Sequence, residues 1–357
     1  MKLGAFFKNS VLIILSITIG LVLAEYVYRA ILFGGSTQFK NLRKPGLYAD
    51  HFSEDDYWKL YNIFETGYAA PAQPHKTLGW VGNFDRISYL HHDSDKLKDK
   101  RPVLLYGDSF AQCVESTCFE EILNGDSIFT KNHFFINYGV GGYGADQIYL
   151  LLQRSLDHFK NPFVIISIMP LDLDRSHLSV RVGQKPYFTI SHDELELSKD
   201  SIYSNAHEYF KENPPEITSY LYRRLIYSNI IPERIRSRLR GKWKAIQHKK
   251  ELNTKIILNM KHELEARNCE YVFLIFHPLQ KSDLKSHGWR DDFLLQLFQE
   301  NNIPYIWSKD LIRNDSSFSI YDRANYINLD NGHPNTHFNR IVSSEFKRLI
   351  LNKESKK

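Results

Sequence analysis

A serine, a histidine and an aspartate stand where they could form a nucleophilic unit. In "LLYGDSFAQC", residues 104–113, an apolar run ends in Gly-Asp-Ser, with the serine at position 109. Near the C-terminus, "YINLDNGHPNTHFN" places Asp330 three residues before His333. A Ser–His–Asp unit needs a base within reach of the hydroxyl and a carboxylate that holds the imidazole in the correct tautomer. Each signal is weak alone, because Ser109 could equally be an ordinary turn serine and His333 a surface histidine.

A glycine-rich turn supplies a third element. The stretch "NYGVGGYGADQ", residues 137–147, follows the second apolar run of the body. A glycine in such a turn can offer its backbone N–H to a developing oxyanion. The alternatives are a turn that serves packing or one that binds phosphate.

The elements that must position these residues alternate along the chain. Short apolar runs predict buried strands at 102–106, 133–138, 163–168, 270–276 and 304–307, and helical spacing predicts helices at 145–160, about 251–268, 290–301 and 336–351. Strands that are apolar on both faces and alternate with helices indicate a parallel sheet covered on both sides. The sequence therefore predicts an α/β fold: a three-layer α/β/α sandwich with a parallel, flavodoxin-like sheet of about five strands. Ser109 then lies at the carboxyl edge of the sheet, where open α/β sheets bind ligands.

Taken in this order, the three motifs resemble the SGNH (GDSL) hydrolase family over roughly residues 100–350. "TLGW" (77–80), "KPYF" (185–188) and the early "AEYVYR" look like a membrane-anchored bacterial branch of that family. The resemblance implies that Ser109 is the nucleophile, His333 the general base and Asp330 the residue that orients it.

The same resemblance implies an oxyanion hole made by the backbone amides of Ser109 and Gly142. The family also uses an asparagine side chain as a donor, and this chain departs from the pattern. The corresponding block reads "SIMPLDLDRS", with Leu171 or Asp172 at the expected place. An ionised Asp172 accepts hydrogen bonds but cannot donate one, whereas a protonated carboxyl could.

The activity that the resemblance implies is ester hydrolysis, or acyl transfer, through a seryl intermediate. It favours small O-acyl groups on envelope or extracellular polysaccharide as substrates, and it implies no metal and no organic cofactor. Two alternatives stay open: a catalytically impaired module that binds glycan, and a lysophospholipase-type lipase.

The N-terminus predicts a membrane segment. Lys2 and Lys8 precede the charge-free run 11–24, and Glu25 and Arg29 lie in a further apolar stretch. A retained anchor, a cleaved signal peptide and a buried helix all fit this pattern, and the first two place the body outside the cytoplasm, in the periplasm, at the cell surface or secreted. The predicted organisation is a membrane or signal segment at 1–32, an aromatic-rich extension at 33–100, a hydrolase-like domain at 101–351 with an insertion at about 174–250, and a charged tail at 352–357.

The basic charge is concentrated in one segment. Residues 223–250 contain ten Lys or Arg and one acid, so they carry +9 while the rest of the chain carries −4. This segment could contact an anionic surface, or it could be a solvated helix face. Nucleic acid is not expected as a partner of an exported protein. Cys113 and Cys118 are close enough to form a small disulfide loop, although three separate thiols fit as well.

Overall fold

The chain forms two compact units. The computed structural model describes residues 2–50, 53–66, 73–82, 97, 99–198, 203, 206–212, 219–279, 288–315 and 322–354. The N-terminal unit comprises residues 1–67 and 203–245, and the sheet unit comprises residues 68–202 and 246–357. Parts of the predicted extension (51–52, 67–72, 83–96 and 98) and of the charged tail (355–357) lie outside the described residues.

The sheet unit is built on five parallel strands in the order β4-β3-β5-β8-β9. The strands of the described residues are β1 (Gln73–His75), β2 (Gly79–Val81), β3 (Arg101–Gly107), β4 (His133–Gly139), β5 (Phe163–Ile168), β6 (Phe188–Ser191), β7 (Glu194–Leu197), β8 (Glu270–Ile275) and β9 (Tyr305–Trp307). Two antiparallel pairs, β1 with β2 and β6 with β7, stand apart from the central sheet.

The α-helices of the described residues are α1 (Lys2–Phe33), α2 (Tyr57–Thr66), α3 (Ser109–Gln112), α4 (Phe119–Asn124), α5 (Ala145–Ser155), α6 (Asp172–Arg175), α7 (Ala206–Glu212), α8 (Tyr220–Ile226), α9 (Glu233–Leu239), α10 (Lys242–Ala266), α11 (Trp289–Glu300), α12 (Ser308–Arg313) and α13 (Thr336–Glu354). Helix α10 begins earlier than predicted, because the basic residues that precede the apolar repeat are themselves good helix formers.

Both faces of the central sheet are buried. Along β3, Leu104 and Tyr106 belong to one hydrophobic cluster, and Val103 and Leu105 belong to another. Successive side chains of a strand point to opposite faces, so these two clusters are the two layers between sheet and helices. The predicted three-layer α/β/α sandwich with a five-stranded parallel sheet is confirmed.

The N-terminal unit joins the apolar helix α1 to residues from two distant parts of the chain. Residues 7–33 of α1 are long and apolar enough to cross a membrane, with a mean hydropathy of 2.2. A small hydrophobic cluster, made of Leu32 and the aromatic side chains of Tyr48, Trp58 and Tyr220, holds the unit together. Residues that the sequence divides between an extension and an insertion therefore pack together, because their aromatic side chains share one core.

Candidate active site

Ser109 is the first residue of α3, and one residue, Asp108, separates it from the end of β3. The Asp108 side chain caps this helix, because its Oδ1 accepts a hydrogen bond of 2.9 Å from the Phe110 amide. The turn requires glycine at Gly107, since a Cβ there would lie 2.6 Å from Cβ of Ala111. The local sequence therefore makes a tight strand-to-helix turn that holds the serine at the carboxyl edge of the sheet.

The structure brings His333 to this serine. Nε2 of His333 lies 2.9 Å from Oγ of Ser109. The backbone of His333 is held on both sides, because its amide donates to Oδ1 of Asn331 at 2.9 Å and its carbonyl accepts from the Asn328 amide at 2.9 Å. The ring also packs on Phe110, with 5.4 Å between ring centroids. Hydroxyl and imidazole thus have the geometry that proton transfer requires.

The structure does not bring the Asp330 carboxylate to the same imidazole. Asp330 is exposed, and its amide donates to Oδ1 of Asn328 at 3.1 Å. Nδ1 of His333 is buried and has no hydrogen-bond partner within the described residues. The chain reverses between the two, because Gly332 has a φ of 74° and its amide donates to the Asn328 carbonyl at 2.8 Å. This turn leaves Asp330 at its tip, so a spacing of three residues does not by itself join carboxylate and ring.

The glycine turn after β4 passes beside the nucleophile. Gly142 has a φ of 83°, in the left-handed region that favours glycine. A Cβ placed on Gly141 would lie 3.8 Å from Cβ of Ser109. In the part of the chain that the structure describes, the amides of Ser109 and Gly142 donate to no protein acceptor. Both amides are therefore available as donors on this side of the site.

Gln112 is a residue of the site that the sequence analysis did not single out. It ends α3, and its Oε1 accepts a hydrogen bond of 2.8 Å from the Gly141 amide. Gln112 thereby ties the glycine turn to the helix that begins with Ser109. Its place on the helix, three residues after the serine, was visible in the sequence, but its acceptor role depends on the fold of the turn.

Residues of the motifs "TLGW" and "KPYF" contact the glycine turn and the helix that follows it. Nε1 of Trp80 donates to the Gly141 carbonyl at 2.9 Å, and Lys185 forms a fully buried ion pair with Asp146 at the start of α5. A Cβ on Gly79 would lie 2.9 Å from Cβ of Lys185, so the two motifs are in close contact. Burial raises the pKa of Asp146 to about 6, and the charge of Lys185 opposes that rise.

Asp172 belongs to a buried ion cluster. Oδ1 of Asp172 accepts a hydrogen bond from Nη1 of Arg175 at 2.7 Å, and Oδ2 of Asp172 accepts one from the Met169 amide at 2.8 Å. Nη1 of Arg175 also donates to Oδ2 of Asp108 at 3.0 Å. Burial raises the pKa of Asp172 well above its usual value, and the charge of Asp108 raises it further, while Arg175 opposes both. These contacts engage both oxygens of Asp172 in acceptor roles, which is not the arrangement expected of an oxyanion donor. The preceding residue, Leu171, has no hydrogen-bonding side chain.

A disulfide joins Cys113 to Cys118, with 5.2 Å between the Cα atoms, whereas Cys269 is free and buried. The loop that it closes follows α3 directly. Within this loop the Thr117 amide donates to Oγ1 of Thr336 at 3.0 Å. The loop therefore contacts the first residue of α13, three residues after the candidate base.

Removal of this disulfide is expected to lower the stability of the sheet unit. Cross-linking over a sequence separation of 5 is worth about 2 kcal/mol of unfolding free energy by the loop-entropy relation. The double variant Cys113→Ala/Cys118→Ala should show this loss in chemical denaturation. Reductant should reproduce the loss in the parent protein and leave the variant unchanged; equal stability of parent and variant in oxidising buffer would contradict the prediction.

Comparisons with known proteins concern solved structures. No protein-family model matches the chain, and no curated protein matches it. A lipolytic protein of the G-D-S-L family from Desulfitobacterium hafniense DCB-2 is 12% identical, with 70% of this chain and 99% of that chain covered and a TM-score of 0.36. An esterase from Pseudoalteromonas sp. is 10% identical, with 72% and 100% covered and a TM-score of 0.38. An acetylxylan esterase from Geobacillus stearothermophilus is 12% identical, with 71% and 95% covered and a TM-score of 0.38.

Proposed function

We propose that this chain is a serine ester hydrolase of the SGNH (GDSL) type. The observation that carries the proposal is the 2.9 Å distance between Oγ of Ser109 and Nε2 of His333 at the carboxyl edge of the parallel sheet. A serine hydroxyl is a weak nucleophile unless a base removes its proton, and this pair supplies both groups. The motif order and the esterase names of the structures reported above agree with this chemistry.

The proposed reaction has two half-steps. Ser109 attacks the ester carbonyl while its proton passes to Nε2 of His333, and the tetrahedral intermediate collapses when that proton goes to the leaving alcohol. A water molecule then gives a proton to the imidazole and attacks the acyl carbon. The second tetrahedral intermediate collapses as the bond from the acyl carbon to Oγ of Ser109 breaks, His333 returns the proton to Oγ, and the acid is released. A sugar hydroxyl in place of water makes the same site an O-acyltransferase.

Stabilisation of the oxyanion is assigned to the backbone amides of Ser109 and Gly142. No third donor stands at Leu171 or Asp172, and the loss of one oxyanion donor typically lowers a rate by on the order of 100- to 1000-fold. We therefore expect the rate of ester hydrolysis to be lower than that of a serine hydrolase with three oxyanion donors. A module that binds glycan and hydrolyses it poorly is the second candidate, and the missing donor is the observation that favours it.

Gln112→Met is expected to lower kcat by about 10- to 100-fold with little change in KM. The variant keeps the side-chain volume but removes the acceptor of the Gly141 amide, so the glycine turn loses its link to the nucleophile helix. Steady-state kinetics with p-nitrophenyl acetate check this. The matched control is Gln296→Met, because Gln296 is exposed and its side chain bonds, within the described ranges, only to Glu300. Equal kcat for the two variants would remove Gln112 from this role.

Asp330→Asn is expected to lower kcat by less than about tenfold. A fully engaged triad aspartate is worth on the order of 10⁴ in kcat, but Asp330 is exposed and makes no contact with Nδ1 of His333 in the described structure. The same assay measures the effect. A loss near 10⁴ would mean that the carboxylate reaches the imidazole during turnover and that Asp330 acts as the resemblance implies.

The proposed substrate is a small O-acyl ester on envelope or extracellular polysaccharide, met outside the cytoplasm by a protein anchored through α1. The test uses the full-length chain in detergent. A fluorophosphonate should add covalently to Ser109, as mapped by peptide mass, and acetylated xylan should be deacetylated faster than lysophospholipid. Labelling at another serine would overturn the assignment of the nucleophile, and a preference for lysophospholipid would favour a lipase.

A further inference from the structure

The N-terminal unit carries a surface that is both basic and apolar. Residues 223–244 contain eight Lys or Arg and one acid. Ile230, which precedes α9, exposes 83% of its surface, and Ile235, which lies on α9, exposes 53%. Large apolar side chains beside unpaired cations are typical of helices that lie in the interface of a membrane. We call residues 222–239 the basic apolar surface.

The free cations lie next to the exposed apolar side chains. Arg234 and Arg238 are one helical turn apart on α9, and Ile235 and Leu239 follow each of them by one position. In the described residues, neither guanidinium takes part in an ion pair, whereas Arg236 is bound to Glu233. This face of α9 therefore presents charge and apolar area together.

Glu25 of α1 fixes the start of α8. Its carboxylate accepts hydrogen bonds from the Ser219 hydroxyl at 2.8 Å, the Tyr220 amide at 2.9 Å and the Leu221 amide at 3.0 Å. Arg29 donates to the same carboxylate at 2.7 Å. A carboxylate bound to the first amides of a helix is a favourable contact, so α8 is attached to α1 at the level of residue 25.

Helix α9 and the residue after it contact α8 and the residues that directly follow α8. The Tyr222 hydroxyl donates to the Leu239 carbonyl at 3.2 Å, and Nη1 of Arg236 donates to the Ser228 carbonyl at 2.9 Å. The Arg240 guanidinium lies 3.9 Å from the centre of the Tyr227 ring. Contacts thus run without a break from α1 through α8 to α9.

Residue 25 lies at the level where a bilayer would end. Sixteen residues separate Lys8 from Glu25, and at about 1.5 Å per residue they span about 24 Å. The hydrocarbon core is about 30 Å thick, and charged side chains avoid its centre, so Glu25 belongs at the outer boundary. A cavity of about 430 Å³ beside α1 shows the same change in polarity, because its lining includes Leu21 and Val22 and, further along the helix, Glu25 and Arg29.

We propose that the basic apolar surface docks onto the anionic lipid headgroups of the bilayer that α1 spans. Arg234 and Arg238 bind the phosphates, and Ile230, Ile235 and Leu239 enter the boundary between headgroups and acyl chains. Lipid is favoured over a polyanionic glycan because a glycan would leave these three apolar side chains in water. The surface lies wholly within the N-terminal unit and is independent of ester hydrolysis at Ser109.

The experiment follows the water exposure of residue 230 in the full-length protein. An Ile230→Cys/Cys269→Ala protein is labelled with an environment-sensitive fluorophore and reconstituted into nanodiscs of phosphatidylcholine, with or without phosphatidylglycerol. We expect a blue shift and protection from aqueous quencher only in the anionic discs, weakened by salt. Arg234→Gln/Arg238→Gln should lower the ratio of docked to undocked protein by about 25-fold, about fivefold for each cation, whereas Arg234→Lys/Arg238→Lys should retain docking.

A label at Ile128, an exposed residue of the sheet unit, controls for non-specific adsorption, and an equal response of both labels to lipid charge would overturn the proposal. Equal exposure of residue 230 in both kinds of disc would overturn the proposal. So would a blue shift that polygalacturonate produces in phosphatidylcholine discs and phosphatidylglycerol does not, because that result assigns the surface to a glycan.

Discussion

Ser109→Ala is expected to lower kcat/KM for p-nitrophenyl acetate by on the order of 10⁴ or more. The change removes the hydroxyl to which the acyl intermediate is assigned, while the imidazole and the backbone amides stay in place. Among the described residues Oγ makes one hydrogen bond, to His333, so its loss should leave the fold intact. Steady-state kinetics on the detergent-solubilised full chain provide the measurement.

The control for this variant is Ser344→Ala, on the exposed side of α13. In the part of the chain that the structure describes, its hydroxyl bonds only to the Arg340 carbonyl within its own helix. We expect parental activity from Ser344→Ala and parental melting temperatures from both variants. If Ser109→Ala keeps even a tenth of the activity, the hydrolysis arises elsewhere and the proposed mechanism is wrong.

Arg175→Met is expected to lower the free energy of unfolding by about 3–5 kcal/mol. Arg175 is the cation between Asp108 and Asp172, and all three side chains are buried. Removal of one partner from a buried ion cluster leaves uncompensated charge in a medium that solvates it poorly. Activity should fall as well, because Asp108 also caps the helix that begins with Ser109. Chemical denaturation of the parent and variant in the same detergent measures the difference.

Arg348→Met is the matched control for that substitution. Arg348 pairs with Glu345 at 2.6 Å and Arg175 pairs with Asp172 at 2.7 Å, both across three residues of a helix, but the Arg348 side chain is 58% exposed. Exposed pairs are worth about 0–1 kcal/mol, so we expect a change of less than about 1 kcal/mol. Equal losses from both variants would mean that burial does not determine the strength of this cluster.

The pH dependence gives a second readout of the same cluster. Burial holds the pKa of Asp172 above its usual value, and loss of Arg175 should raise it further. A carboxyl whose pKa is higher in the folded than in the unfolded state keeps its proton on folding, so it favours the folded state more as the pH falls. The deficit of Arg175→Met should therefore be smaller at about pH 5 than at about pH 7. A deficit that grows on acidification would contradict this account.

Local pattern was enough to predict the sheet, because burial on two faces leaves continuous apolar runs in the sequence. The strands that end at Gly107 and Gly139 were predicted to within about one residue. The position of Ser109 at the carboxyl edge followed from the same reasoning, since parallel strands all end at one side. The N-terminal unit was harder to predict from the sequence, because the contact between Glu25 and Tyr220 joins residues that are far apart along the chain and leaves no local sequence pattern.

The sequence by itself therefore determined the α/β class, the apolar N-terminal helix and the types of side chain available for chemistry. Only the tertiary structure decided which of them meet. Ser109 and His333 come within 2.9 Å across 224 residues, whereas Nδ1 of His333 receives no hydrogen bond from Asp330, three residues away, in the described part of the chain. The physical reason is that strand and helix periodicity depend on neighbours along the chain, while the direction of a side chain depends on the turn that carries it. The same holds for Asp172, whose partner Arg175 lies on its own helix but whose acceptor role depends on burial beside Asp108.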